Sequence, residues 1–115
     1  MSFLKKFFSK SPDAPLTGLA VSVEAVDGMT TLMMTFVFQE LIALGANPEH
    51  KTDSDLVVYG SVSEYHPSAA IRDRLGNTLW MHRGNKMTKV RKEIRRLAIN
   101  LAKTGFGSIK LSSPL

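Results

Sequence analysis

The stretch from Asp55 to Arg83, DLVVYGSVSEYHPSAAIRDRLGNTLWMHR, constrains the fold of this 115-residue chain more than any other. Leu56, Val58 and Val62 alternate with Val57, Tyr59 and Tyr65. A period of two rich in β-branched and aromatic residues argues for a strand. Apolar residues on both sides of its start mark an interior strand. His66-Pro67-Ser68 turns the chain. Ala70–Leu75 and Thr78–His82 then read as a hairpin about Gly76-Asn77, where glycine in the first place of a two-residue loop suits a type II′ turn. Ile71, Leu75, Leu79 and Met81 are expected on one face of it, with Arg72, Arg74, Trp80 and His82 on the other.

Upstream, Leu19, Val21, Val23 and Ala25 alternate with Ala20, Ser22, Glu24 and Val26, a first strand. Asp27-Gly28 stops it. Asp27 or Thr30 is placed to cap a helix running from about Met29 to Leu44, and Gly45 ends that helix. This helix is apolar around most of its circumference. Met34, Phe38, Leu41 and Ile42 form one stripe, and Met33, Phe36, Val37 and Leu44 another. A surface helix needs only one stripe against its own core. The second is covered either by another element of the same chain or by a partner subunit, and the partner is the slightly favoured expectation. Residues 46–54, with Asn47-Pro48 after the helix, read as a polar loop.

After the hairpin, Met87, Val90, Ile94, Leu97 and Leu101, with Ala98 beside them, follow a 3-4 spacing over a helix from near Lys86 to about Lys103. Lys89, Lys92, Arg96 and Lys103 take the opposite side. The net charge of +5 is unevenly spread: residues 86–103 carry +6 and residues 1–10 carry +3, which leaves −4 on the rest. Gly105-Phe106-Gly107 ends the helix, and Ser108–Leu111 is placed to add an edge strand.

The element order is therefore β-α-β-β-β-α. A helix between the first two strands implies a right-handed crossover and a parallel pair; the tight turns that follow imply antiparallel pairs. The expectation is an α+β domain, a two-layer sandwich of a mixed sheet with two helices on one face. It is expected to span residues 18–111 as a single domain, with residues 112–115 as a tail. Residues 1–17 precede it as a separate segment. There, Phe3, Leu4, Phe7 and Phe8 lie beside Lys5 and Lys6 as a short amphipathic turn or docked terminus, and SKSPDAPLT reads as a linker.

DLVVYGSV, then IRDRLGNTLW, then a helix containing RRLAINLA resemble the amino-terminal domain of TolB-type proteins and the related domain of curli-secretion-channel lipoproteins. The matching positions are Asp55, Gly60, Ser61 and Val62, then Asp73, Gly76, Leu79 and Trp80, then Ala98 and Ala102. About 85 residues are covered, roughly 19–104. The resemblance implies a protein-interaction or assembly module without catalysis. Members of that family usually carry an export signal, often a lipidated cysteine and further domains. MSFLKKFFSK lacks the apolar core of a secretory leader, and the chain has no cysteine. The expectation is cytoplasmic, with no membrane-spanning segment.

Motifs for chemistry are sparse. His50, His66 and His82 are the only histidines and have no metal-ligand spacing; His66 and His82 with Glu64 are a weak metal set. Asp53 and Asp55 are a weaker acid/base pair. No glycine-rich phosphate loop or nucleophile elbow occurs, so the chain is expected to be no enzyme and to use no cofactor. Two surfaces remain. Met33, Phe36, Val37 and Leu44, or a sheet face around Trp80, are the expected contact with a protein partner or a second copy of the chain. Lys86, Lys89, Lys92, Arg95, Arg96, Ile99 and Lys103 are the alternative, a basic face for nucleic acid or an anionic membrane surface. No helix-turn-helix, RNP or KH signature accompanies it.

Overall fold

Period-two segments become strands and the two apolar-striped segments become helices in the computed structural model, which describes residues 14–50 and 54–104. In chain order these are β1 (Ala20–Ala25), α1 (Leu32–Ala43), β2 (Asn47–Pro48), β3 (Leu56–Gly60), β4 (Ala69–Asp73), β5 (Thr78–His82) and α2 (Met87–Lys103). The strands form one mixed sheet in the order β2-β1-β3-β4-β5. β1 runs parallel to β3, and β3–β4 and β4–β5 are antiparallel. The α+β architecture expected from the sequence is present, with both helices packed on one side of the sheet.

The segment read as a polar loop adds a short edge strand. Asn47 and Pro48 pair parallel with Ala20 and Val21. Asn47 N–H donates to the Leu19 carbonyl and Glu49 N–H to Val21, at 2.8 Å each. Pro48 has no N–H to offer, which an edge strand tolerates and a central strand does not.

The body also starts earlier than residue 18. Pro15 and Leu16 are buried. Leu16 N–H donates to the Leu44 carbonyl at 2.9 Å, and its side chain lies in the core. The described end of the expected linker is thus part of the fold. The amphipathic segment before residue 14 and the expected strand at Ser108–Leu111 lie outside the described residues.

α1 starts one turn later than its apolar pattern. The N-cap is Thr31, not Asp27 or Thr30: its hydroxyl accepts from Met34 N–H at 3.0 Å and donates to the Ser68 carbonyl at 2.9 Å. The helix therefore begins where its cap can also bond the β3–β4 loop. Gly45 follows the other end with φ +108°, a left-handed backbone that an L side chain resists.

Both stripes of α1 are used within the chain. Met34 and Leu41 are fully buried, and Met34 packs beside Gly60 of β3. Met33, Val37 and Leu44 are at most 8% exposed and join the same core as Val90, Ile94, Ala98 and Leu101 of α2. α1 thus lies on β1, β3 and β4 with α2 along its other flank, which is why it is apolar nearly all round.

The hairpin differs in register from the expectation. β4 and β5 are joined by four residues, 74–77, instead of a two-residue turn. Asp73 organises the loop: its carboxylate accepts from Leu75 N–H and Asn77 N–H at 2.9 Å each and from Asn77 Nδ2 at 3.1 Å. A bulge beside Ile71 and Arg72 leaves Arg72 opposite Thr78 and Ile71 opposite Trp80. One extra residue exchanges the faces of every position beyond it. Trp80 therefore lies on the helix-covered side with Ile71, not on the open face with Arg72.

The other face is roofed by polar side chains. Arg72 bonds Glu24 at 2.6 Å, lies with its guanidinium 5.6 Å from the Tyr59 ring centre, and Tyr59 bonds the Thr78 hydroxyl at 2.9 Å. This lattice crosses β1, β3, β4 and β5. Val57 and Ala70, on the same face, are fully buried.

Candidate functional site

Sequence reasoning offered an apolar contact surface and a basic one, and the structure treats them differently. In the apolar set, Met33, Val37 and Leu44 belong to the core, which removes them as a free surface. Phe36 is half-buried beneath Arg91, whose guanidinium sits 5.5 Å from the ring centre while its Nε donates to Glu40 at 3.2 Å. Trp80 is half-buried, and its indole N–H donates to Glu93 of α2 at 3.0 Å. These five side chains tie the helices to each other and to the sheet. Periodicity could not tell a helix covered by its own neighbour from one covered by another chain.

The basic set is exposed throughout. Val90, Ile94, Ala98 and Leu101 turn one side of α2 into the core. At 100° per residue this carries Lys89, Lys92, Arg96 and Lys103 to the opposite side, with Arg95 on its flank and Ile99 among them. Lys86 stands at the N-cap. All these residues are exposed, Ile99 by 44%. Among the described residues the ion pairs are Arg72–Glu24, Arg74–Asp55 and Arg91–Glu40, so no carboxylate neutralises a cation of the outward face. The one acid of α2, Glu93, is engaged with Trp80. The helix presents an unneutralised basic strip about 25 Å long at 1.5 Å per residue. At its start a cleft of about 520 Å³ opens between Lys86, Met87, Thr88, Lys89 and Lys92.

The acids and histidines singled out by sequence take other roles or none. Asp55 is buried and structural: it accepts from Ala20 N–H at 2.9 Å and from Arg74 at 3.0 Å, joining β1 to the β4–β5 loop. Asp53 lies outside the described residues. His66 is exposed on the β3–β4 loop, and the His82 ring stacks parallel to Trp80 with centres 6.1 Å apart. Among the described residues no group of three His, Cys, Asp or Glu side chains is arranged to hold a metal ion, and no helix is long and apolar enough to cross a membrane.

Asp27 has a function that sequence reasoning missed. Its carboxylate accepts from Val62 N–H at 3.0 Å, Ser61 Oγ at 2.9 Å and Met29 N–H at 3.2 Å. These bonds, that from Val62 foremost, hold its pKa below the ordinary value of 3.8. Asp27 so fastens the β1–α1 loop to the β3–β4 loop. Its Asp-Gly context signalled only a local turn, because the partners lie 35 residues away.

Comparison with protein-family models, curated proteins and solved structures gives no match.

Proposed function

We propose that this protein is a non-catalytic binding domain that docks a polyanion along the outward face of α2. The observation that carries the reading is the run of six cations, Lys86, Lys89, Lys92, Arg95, Arg96 and Lys103, all exposed and none paired with a carboxylate among the described residues. A solvated helix face is often laced with acids at i±4 positions; here the one acid of α2, Glu93, is engaged with Trp80. The apolar side of α2 is committed to the core, so the attraction is mainly electrostatic. The TolB-type resemblance enters as part of the same proposal, since it implies a binding module without catalysis.

The test is a fluorescence titration of the full chain against labelled duplex, labelled single strand and anionic vesicles at two salt concentrations. Neutralising four to six phosphates makes nucleic-acid affinity fall about 10²–10³-fold when salt is raised fourfold. Lys92→Glu with Arg96→Glu reverses the centre of the strip on exposed positions and is expected to abolish binding without changing the melting temperature. No binding to any of the three at low salt removes the proposal.

A further inference from the structure

Five of the large apolar side chains that the fold leaves exposed sit together at one end of the molecule. They are Val26 (52% exposed), Met29 (61%), Leu32 (74%), Val62 (59%) and Tyr65 (80%). Parallel β1 and β3 finish at this end, β5 finishes beside them, and both helices begin there. The side chains belong to the β1–α1 loop, the first turn of α1 and the β3–β4 loop. Apolar residues so concentrated in exposure mark a contact surface.

The tips are held, not dangling. Val26 N–H donates to the Gly60 carbonyl at 3.0 Å, Asp27 bridges the two loops, and Thr31 bonds Ser68 across them. Ser68 also binds the end of β5, accepting from Gly84 N–H at 3.0 Å and donating its own N–H to the His82 carbonyl at 2.9 Å. This last link brings a third loop to the same end, and that loop carries cations. Arg83 reaches the Glu64 carbonyl at 3.2 Å, and exposed Lys86 and Lys89 follow at the start of α2.

We infer that this end of the domain docks on an anionic lipid bilayer. The five apolar tips enter the headgroup–acyl boundary, and Arg83, Lys86 and Lys89 lie against the acidic headgroups. Charge selects this occupant: the exposed cations Arg83, Lys86 and Lys89 outnumber the exposed acids of the same loops, Asp27 and Glu64. Lysine is depleted from protein–protein interfaces, whereas apolar side chains flanked by cations are the pattern of a peripheral membrane surface, where apolar area and anionic lipid act together. Tyr65 suits the interfacial depth, with an apolar ring and a polar tip. The inference rests on the polyanion reading only through Lys86 and Lys89; the apolar tips stand apart from it.

The experiment is flotation of the full chain with phosphatidylcholine vesicles, with and without phosphatidylserine. The wild type is expected to float with phosphatidylserine vesicles only. Leu32→Asp and Tyr65→Asp, at exposed positions, are each expected to weaken binding about tenfold or more with an unchanged melting temperature. Arg83→Gln is expected to weaken it about fivefold. The Tyr65→Trp variant should show quenching by brominated lipids beyond that of Trp80 in the parent.

If Leu32→Asp and Tyr65→Asp float like the wild type while Lys92→Glu with Arg96→Glu does not, the helix face alone binds and this inference is overturned. Loss with the loop variants but not the helix pair supports the bilayer and overturns docking along α2. Failure of the wild type to float, with the loop variants shifting its sedimentation, identifies a protein interface and also overturns the inference.

Discussion

Gly60→Ala tests how tightly the β3–β4 loop is locked to the core. Gly60 ends β3, and a Cβ added there would run into the Ser68 carbonyl oxygen, 2.9 Å from Met34 Cγ and 3.0 Å from the Ser68 carbonyl carbon. Its φ is not in the left-handed range, so alanine meets no backbone strain. With free space the change would stabilise the strand by about 0.5–1 kcal/mol, since glycine loses more conformational freedom on folding. The obstacle is steric. Met34 has a flexible thioether and can yield. The Ser68 carbonyl cannot retreat cheaply, because it accepts from Thr31 Oγ1 while the same residue's N–H and Oγ hold the end of β5. Overpacking against so fixed a group costs about 3 kcal/mol, the upper part of its usual range. The net expectation is a loss of about 2 kcal/mol, or about 10 °C in melting temperature for a domain of this size. Urea titration followed by circular dichroism measures it. A variant as stable as the wild type, or more so, would show that the loop gives way freely and that the close approach at Gly60 holds nothing in place.

Three further outcomes are expected. Folding depresses the pKa of Asp27, so its contribution to stability is present above the unfolded value of about 3.8 and is lost as the pH falls through the lower folded value; urea midpoints between pH 5 and pH 2 should therefore fall less steeply for Asp27→Asn than for the wild type. Glu93→Ala removes the acceptor of the indole N–H and is expected to cost about 1 kcal/mol, while Glu93→Gln keeps an acceptor and costs less; Trp80 is the only tryptophan, so its emission reports the change directly. Asp73→Ala frees two backbone N–H groups of the β4–β5 loop at a partly buried site and is expected to cost about 2 kcal/mol in thermal unfolding.

Local pattern made the order and type of the long elements legible: period two in 20–25 and 56–60, the 3-4 stripe from Met87 to Leu101, and the crossover that makes β1 and β3 parallel. The same stripe gave the basic face of α2, since a helix that buries Val90, Ile94, Ala98 and Leu101 must turn Lys92 and Arg96 outward. Legibility stopped where the answer lay in a distant partner. Met33, Val37 and Leu44 look alike whether α2 or another chain covers them. The side on which Trp80 falls depends on one bulged residue, and no propensity specifies that register. Thr31 displaces Thr30 as cap because only Thr31 also meets Ser68, 37 residues on. The clustering of Val26, Leu32 and Tyr65 at one end follows from the meeting of three loops that the sequence keeps apart. Periodicity is written in neighbouring residues and survives any arrangement of the elements. Coverage, register and the company a surface residue keeps come from contacts between remote segments, and only the assembled sheet and helices decide them.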